Sequence, residues 1–166
     1  ASRGLGDVYK RQMPLEKVVK SAQERQALSE MKSQLLAIRK KREAPLRDDK
    51  VLTSWNGLMI RSLANGGRVL KRPDYIQAAT RAADFLLVHL RDKDQTHLLR
   101  TYRKGKSKLN GYLVDYAFLV EGLLALHTAT GDKRWLTAAR TLTDEQIKLF
   151  WDEKRGGFYF CLLYTS

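Results

Sequence analysis

Tyr75-Ile-Gln-Ala-Ala79 and Trp135-Leu-Thr-Ala-Ala139 decide the fold of this chain. The second stretch lies 60 residues after the first, with aromatic on aromatic, aliphatic on aliphatic and Ala-Ala on Ala-Ala. The same offset lays Leu63 on Leu123, Asp92 on Asp152 and Leu98-Leu99 on Phe158-Tyr159. A unit of helix, short turn, helix and strand-like return therefore occurs twice, head to tail. One such hairpin cannot bury its own apolar face and needs neighbours. Repeats of about 34 residues build short-helix solenoids. A period of 60 with long helices and an extended return fits instead an all-α fold, the (α/α)6 six-hairpin toroid. The chain reads as a fragment of one, made of successive antiparallel helical hairpins with short extended returns. In such rings the inner-helix ends and the loops of one face line a central cavity.

Working outward, Ala27, Leu28, Met31, Leu35 and Ile38 recur at three- and four-residue spacing, which predicts a helix from Leu15 to about Arg42 with one buried face. Pro45 ends it, and residues 46–50 form a polar loop. Ser54 reads as the N-cap of a second helix running to about Leu70, with Leu58, Met59, Ser62, Leu63 and Val69 inward. Gly66 and Gly67 each weaken that helix by about 1 kcal/mol relative to alanine, which points to close packing or a kink. Pro73 opens a third helix with Tyr75, Ala78, Ala79, Ala82, Phe85, Leu86 and Leu90 on its apolar side. His97 to Tyr102 reads as extended, and Lys104 to Gly111 as a loop of turn formers. A fourth helix covers Val114 to Ala129 and stops at Gly131. Asp132 then caps a fifth, running to about Trp151, and residues 156–160 form a second extended piece.

Composition narrows the class. A chain of 166 residues, 43% hydrophobic and 30% charged, fits one globular unit. The longest apolar stretch, Ala117 to Leu126, is broken by Glu121 and falls short of the roughly 20 residues of a membrane span. The basic N-terminus lacks the apolar core of a secretory signal, so no membrane association and a cytoplasmic location are expected. With one cysteine, Cys161, and no Cys/His cluster at zinc spacing, neither a disulfide, a metal nor a cofactor is expected. The net charge of +13 is gathered at Arg39 to Arg42 and at Arg100 to Lys108, without the interleaved aromatics of a nucleic-acid motif. Nucleic-acid binding is therefore not expected. The first cluster complements a helix C-terminus, and the second reads as a solvated loop. Gly4 to Gln12 and Cys161 to Ser166 look like translated sequencing-adapter read-through of the kind met at the edges of metagenomic frames. The expectation is non-native ends over 1–12 and 161–166 flanking a toroid fragment over 13–160.

Three motifs carry a family likeness: Arg47-Asp-Asp-Lys-Val-Leu-Thr-Ser-Trp-Asn-Gly-Leu-Met-Ile60, Gly111-Tyr-Leu-Val-Asp-Tyr-Ala117 and Thr130-Gly-Asp-Lys-Arg-Trp-Leu136. Together they resemble the YyaL and spermatogenesis-associated thioredoxin-domain family. The resemblance implies an N-terminal thioredoxin-like domain with paired cysteines, followed by a six-hairpin toroid related to N-acylglucosamine 2-epimerases and several glycosidases. Neither the thioredoxin-like domain nor the remaining hairpins lie in this chain; they are its implied partners.

The candidate site follows from the repeat. Asp48, Asp49 and Lys50 precede the second helix, and Trp55 and Asn56 open it. Asp115 and Tyr116 occupy the positions of Trp55 and Asn56 one repeat later, so they should face the same rim. An aromatic plane beside carboxylates and an amide suits a sugar, stacking on its C–H face and exchanging hydrogen bonds with its hydroxyls. Asp49 and Asp115 are the candidate acid–base pair for a glycosidic bond. Trp55, Asn56, Tyr116 and Arg100 are the candidate substrate-binding residues. Each has a plainer reading: Asp48 or Asp49 as a turn residue, Trp55 and Tyr116 as core, Asp115 as a cap or ion-pair partner, Arg100 in an ordinary ion pair. Lys50 reads as a salt-bridge partner, and His89 and His127 as structural. Two functions are expected to compete: a toroid that binds or processes a carbohydrate or sugar derivative, and a non-catalytic helical scaffold or redox-partner module.

Overall fold

The computed structural model describes residues 21–44 and 46–161. The expected ends over 1–12 and 162–166, the first turns of the predicted first helix and Pro45 lie outside the described residues. The chain divides into two units at residues 47 and 48.

The first unit contributes one described element, α1 (Ala22–Lys40). Ser21 and Glu24 open it with a reciprocal capping box, each side chain bonding the other's backbone N–H at 3.1 and 3.0 Å. Arg39 and Lys40 in its last turn complement the helix dipole. The apolar periodicity is real, but the expected buried face is not: no residue of α1 is buried, and Met31, Leu35 and Ile38 are all more than half exposed. An apolar stripe is buried only against a partner, and α1 has no other described helix or strand in its unit.

The second unit holds β1 (Val51–Leu52), α2 (Thr53–Val69), α3 (Pro73–His89), β2 (Leu99–Arg103), β3 (Lys106–Asn110), α4 (Leu113–Thr130), α5 (Lys133–Phe150), β4 (Trp151–Asp152) and β5 (Gly157–Phe158). α2 packs most closely on α4, α3 packs on α2, and α5 packs on α4. The first helices of the two repeats therefore lie side by side and the second helices flank them. Around this seam gathers a core that includes Ile60, Leu86, Leu119, Leu123, Trp135, Leu142 and Phe150. α4 is long and apolar enough, by length and composition alone, to cross a membrane. Here Tyr116, Leu119, Leu123 and Leu126 of that helix are buried in the bundle core.

Glycine sets the seam. A methyl group on Gly57 would sit 2.5 Å from the carbonyl carbon of Phe118, and one on Gly122 would sit 2.7 Å from the Gly57 oxygen. The two backbones thus touch with nothing between them. The buried face of α2 is consequently built from small residues, with Thr53, Ser54, Gly57, Ala64 and Gly67 around Ile60. This corrects the expected phase of the helix: Leu58, Met59 and Val69, read as inward, are exposed. Gly67 matches the expectation of close packing, since an added methyl would stand 2.6 Å from Ile76 Cγ1 and 3.0 Å from the Arg72 oxygen. Ser54 is not the N-cap; that position is Leu52, which offers no side-chain bond.

The repeat is visible at the level of single hydrogen bonds. Leu99 N–H donates to the Leu90 oxygen at 2.7 Å, and Tyr159 N–H donates to the Phe150 oxygen at 2.7 Å, one period later. The Arg91–Leu98 bridge likewise corresponds to the Trp151–Phe158 pair. Asp92 and Asp152 each gather the backbone N–H groups of the turn that follows. Arg91, two residues past the end of α3, forks onto Glu145 of α5 with both side chains largely buried, tying one repeat to the other.

β1, β2 and β3 form one antiparallel sheet in that order, with Val51 opposite Tyr102, Thr101 opposite Lys108 and Arg103 opposite Lys106. The stretch expected to be a loop therefore contains a strand. Lys104 and Gly105 take positive φ values of 48° and 77° and close a two-residue hairpin turn. Gly131 ends α4 in the left-handed region, and Asp132 Oδ1 accepts from Arg134 N–H at 3.0 Å to open α5, both as expected.

Candidate functional site

The N-termini of α2 and α4 meet beside β2, and Asp115 sits between them, fully buried. Its Oδ1 accepts from the Ser54 N–H at 3.0 Å, inside the first turn of α2. Its Oδ2 accepts from the Tyr112 N–H at 2.9 Å, at the start of α4, and from Arg100 Nη1 at 2.9 Å. One carboxylate thereby satisfies donors at two helix starts, where the dipoles also favour negative charge, and is neutralised by an arginine. An aspartate at this distance inside a helix start, reaching back to the cap N–H, is a recognised capping arrangement.

Arg100 is held on its other side by the ring of Tyr112, 4.3 Å from guanidinium to centroid. Thr53 fastens β2 to the same helix start, its hydroxyl donating to the Leu99 oxygen at 2.6 Å and to the Arg100 oxygen at 3.2 Å. Tyr116 is core: its hydroxyl accepts from the buried Leu98 N–H at 2.8 Å, and burial, partly offset by that bond, pushes its phenol up to about 12. Asn56 Nδ2 donates to the Leu52 oxygen at 2.8 Å. Trp55, one residue beyond the amide that Asp115 holds, is 70% exposed.

Asp49 stands elsewhere. It pairs with Arg103, and that hydrogen bond holds its carboxyl below the ordinary aspartate range. Arg100 and Arg103 are three residues apart on β2 and project to opposite faces of the strand. The structure thus brings Asp115, Arg100, Trp55 and Asn56 to one helix-start region and leaves Asp49 on the other side of β2. The histidines have partners in the fold: His89 stacks against Phe85 and Tyr102, and His127 bonds the Asp132 oxygen. Lys50 pairs with Asp48 at 3.3 Å. Thr53, Ser54 and Tyr112 are the members of the site that sequence reasoning missed. An acidic residue at position 115, in the first turn of α4, was the available signal for Tyr112; nothing in the sequence announces a cap that crosses from α4 to α2.

The architecture, paired helices with the first helix of each repeat packed side by side, defines a segment of a six-hairpin (α/α) toroid of the kind found in carbohydrate-active enzymes. Cellobiose 2-epimerase from Spirochaeta thermophila superposes with a TM-score of 0.61 at 26% identity, over 67% of this chain and 28% of that one. The GH76 α-mannanase of Bacteroides thetaiotaomicron shares the fold at a TM-score of 0.62 and 18% identity, over 70% of this chain and 33% of that one. In sequence, human spermatogenesis-associated protein 20 is 42% identical over 135 residues, which is 76% of this chain and 17% of the relative. The mouse protein of the same name matches equally over the same length. An uncharacterised protein of Caenorhabditis elegans is 29% identical over 147 residues, 84% of this chain and 20% of that protein. The chain belongs to the spermatogenesis-associated protein 20 family and spans about a sixth of the length of the mammalian relatives. No protein-family profile matches it.

Proposed function

We propose that the toroid to which this chain belongs binds a carbohydrate or sugar derivative at the region where α2, α4 and β2 meet. The observation that carries this reading is Trp55: a large indole left 70% exposed at a helix start whose geometry is otherwise locked by a buried ion pair. An exposed aromatic plane on a rigid platform is the element that stacks on a sugar ring. The resemblance to sugar epimerases and a mannanase supports the same reading. Asp115 acts here as a positioning residue, since both its oxygens are engaged by Ser54, Tyr112 and Arg100. Asp49, exposed and paired with Arg103 on the other face of β2, is not assigned to this site.

The test is titration of the full-length protein with a panel of neutral mono- and disaccharides, followed by tryptophan fluorescence and calorimetry. At least one sugar should bind, and Trp55→Ala should weaken it about tenfold or more, the loss of a single stacking contact, with the circular dichroism unchanged. Binding that is indifferent to Trp55→Ala, or a panel with no ligand at all, counts against the proposal.

One observation favours a second reading. Trp55, Leu58 and Met59, at i, i+3 and i+4 on α2, are all exposed and form an apolar strip. A protein surface, rather than a sugar, would use all three. Equal loss of function on replacing Leu58 or Met59 would favour the scaffold or partner-module reading.

A further inference from the structure

The sheet β1-β2-β3 has two chemically different faces. Arg100 and Tyr102 point towards the helices, where Arg100 meets Asp115 and Tyr102 packs edge-on against Phe85 with ring centroids 5.0 Å apart. Thr101 and Arg103 point the other way, directly opposite Lys108 and Lys106 on β3. With Lys50 and Lys104 they line an open groove of roughly 420 Å³, within the size range of small-molecule sites.

The charge in this groove is not balanced. Arg103 is answered by Asp49 and Lys50 by Asp48. Among the described residues no carboxylate lies within ion-pair distance of Lys104, Lys106 or Lys108. Like charges placed directly opposite each other on a sheet are destabilising, and Arg103 faces Lys106 across the ladder. A strand pair that needed only to be solvated would not concentrate five cations around one concavity.

We propose that this groove is an anion site that takes the phosphate group of a sugar derivative. The sugar part rests on the carbohydrate reading above; the phosphate part rests on the groove alone. Lys50 lies five residues before Trp55, β1 leading directly into α2, which ties the groove in sequence to the helix start that carries the indole. The lysines act as mobile point charges and Arg103, fixed by Asp49, as an oriented fork.

The test compares three probes on the full-length protein by calorimetry: a neutral hexose, the same hexose carrying a phosphate, and inorganic phosphate. Two variants change net charge equally, Lys106→Glu with Lys108→Glu in the groove and Lys133→Glu with Lys148→Glu on α5. All four lysines are exposed, so folding, followed by circular dichroism, should be retained. The phosphorylated hexose should bind about tenfold or more tighter than the neutral one, the scale of one charge-assisted contact. The groove variant should lose that advantage, the uncharged Lys106→Gln with Lys108→Gln should lose it in part, and the α5 variant should keep it. Inorganic phosphate held by the groove with no hexose preference would support the anion site and overturn the carbohydrate reading. Equal affinity for hexose and hexose phosphate, or equal loss in the two charge-reversed variants, would overturn the anion site. Tighter, steeply salt-dependent binding of an oligonucleotide that is lost in the groove variant would overturn it in favour of a polyanion.

Discussion

Asp115 and Trp55 hold the same position in successive repeats and do opposite things. One is a fully buried carboxylate with three donors, the other an exposed indole. A buried aspartate is tolerable only when paired and hydrogen-bonded, and Arg100, Ser54 and Tyr112 meet both conditions. Asp92 has the equivalent task in its turn. Burial pushes its carboxyl up, but hydrogen bonds from the His97 and Thr96 backbone N–H groups, the Thr96 hydroxyl and the His97 ring outweigh burial and bring it down to about 2, from a reference of 3.8. A carboxylate whose folded pKa lies below its unfolded value stabilises the fold above the unfolded pKa and loses that contribution as pH falls through the folded one. In the intact protein Asp92→Asn should therefore lower the urea midpoint at neutral pH and flatten the loss of stability between about pH 4 and pH 2. Parallel stability–pH curves for the two proteins would show that Asp92 plays no such part.

At the scale of elements, the expected helices were found because their signals are strong: Pro73 opening α3, Gly131 closing α4 and Asp132 capping α5 act through local backbone chemistry. The phase of α2 was not legible. Hydropathy reads large side chains as inward, whereas α2 buries its glycines, Ala64 and Ile60 and leaves Trp55, Leu58 and Met59 outside. A contact surface made of absent side chains carries no hydrophobic signal. The sequence shows β2 as extended but reads β3 as a loop for a related reason, since the pairing is encoded by a Lys-Gly turn and the outer face is cationic. The candidate site was legible in its members Asp115, Arg100 and Trp55, but not in its joinery, which runs between helices 61 residues apart in sequence. The Gly57–Gly122 crossing gives a direct test. Gly122→Ala would push a methyl group to 2.7 Å from the Gly57 oxygen, and backbone cannot yield as a flexible side chain can. In the intact protein a destabilisation of about 1–3 kcal/mol is expected from overpacking, measured by urea denaturation; a neutral or stabilising result would mean the seam can open without loss.

At the scale of the whole molecule, each hairpin of a ring buries one flank on the hairpin before it and the other on the hairpin after. The second unit shows flanks of this kind: Leu124, Leu136 and Ile147 are exposed, and so is Val69. Expressed alone, the segment should bind an apolar-surface dye strongly and melt without a sharp transition, and joining it to the rest of its toroid should abolish the dye signal. A sharp two-state melt of the isolated segment with no dye binding would mark it as self-sufficient. The Asp115 clamp adds a consequence for how such a ring can be copied and shuffled. The residue that seals the first turn of α2 is encoded in the next hairpin, 61 residues downstream. A hairpin transplanted by itself leaves its lock behind and arrives with its own start unsealed. The heritable module is thus the junction between two hairpins, and a recombination breakpoint preserves the fold when it falls outside the stretch from Ser54 to Asp115, so that α2 and α4 travel together, not when it separates α2 from the aspartate that closes it.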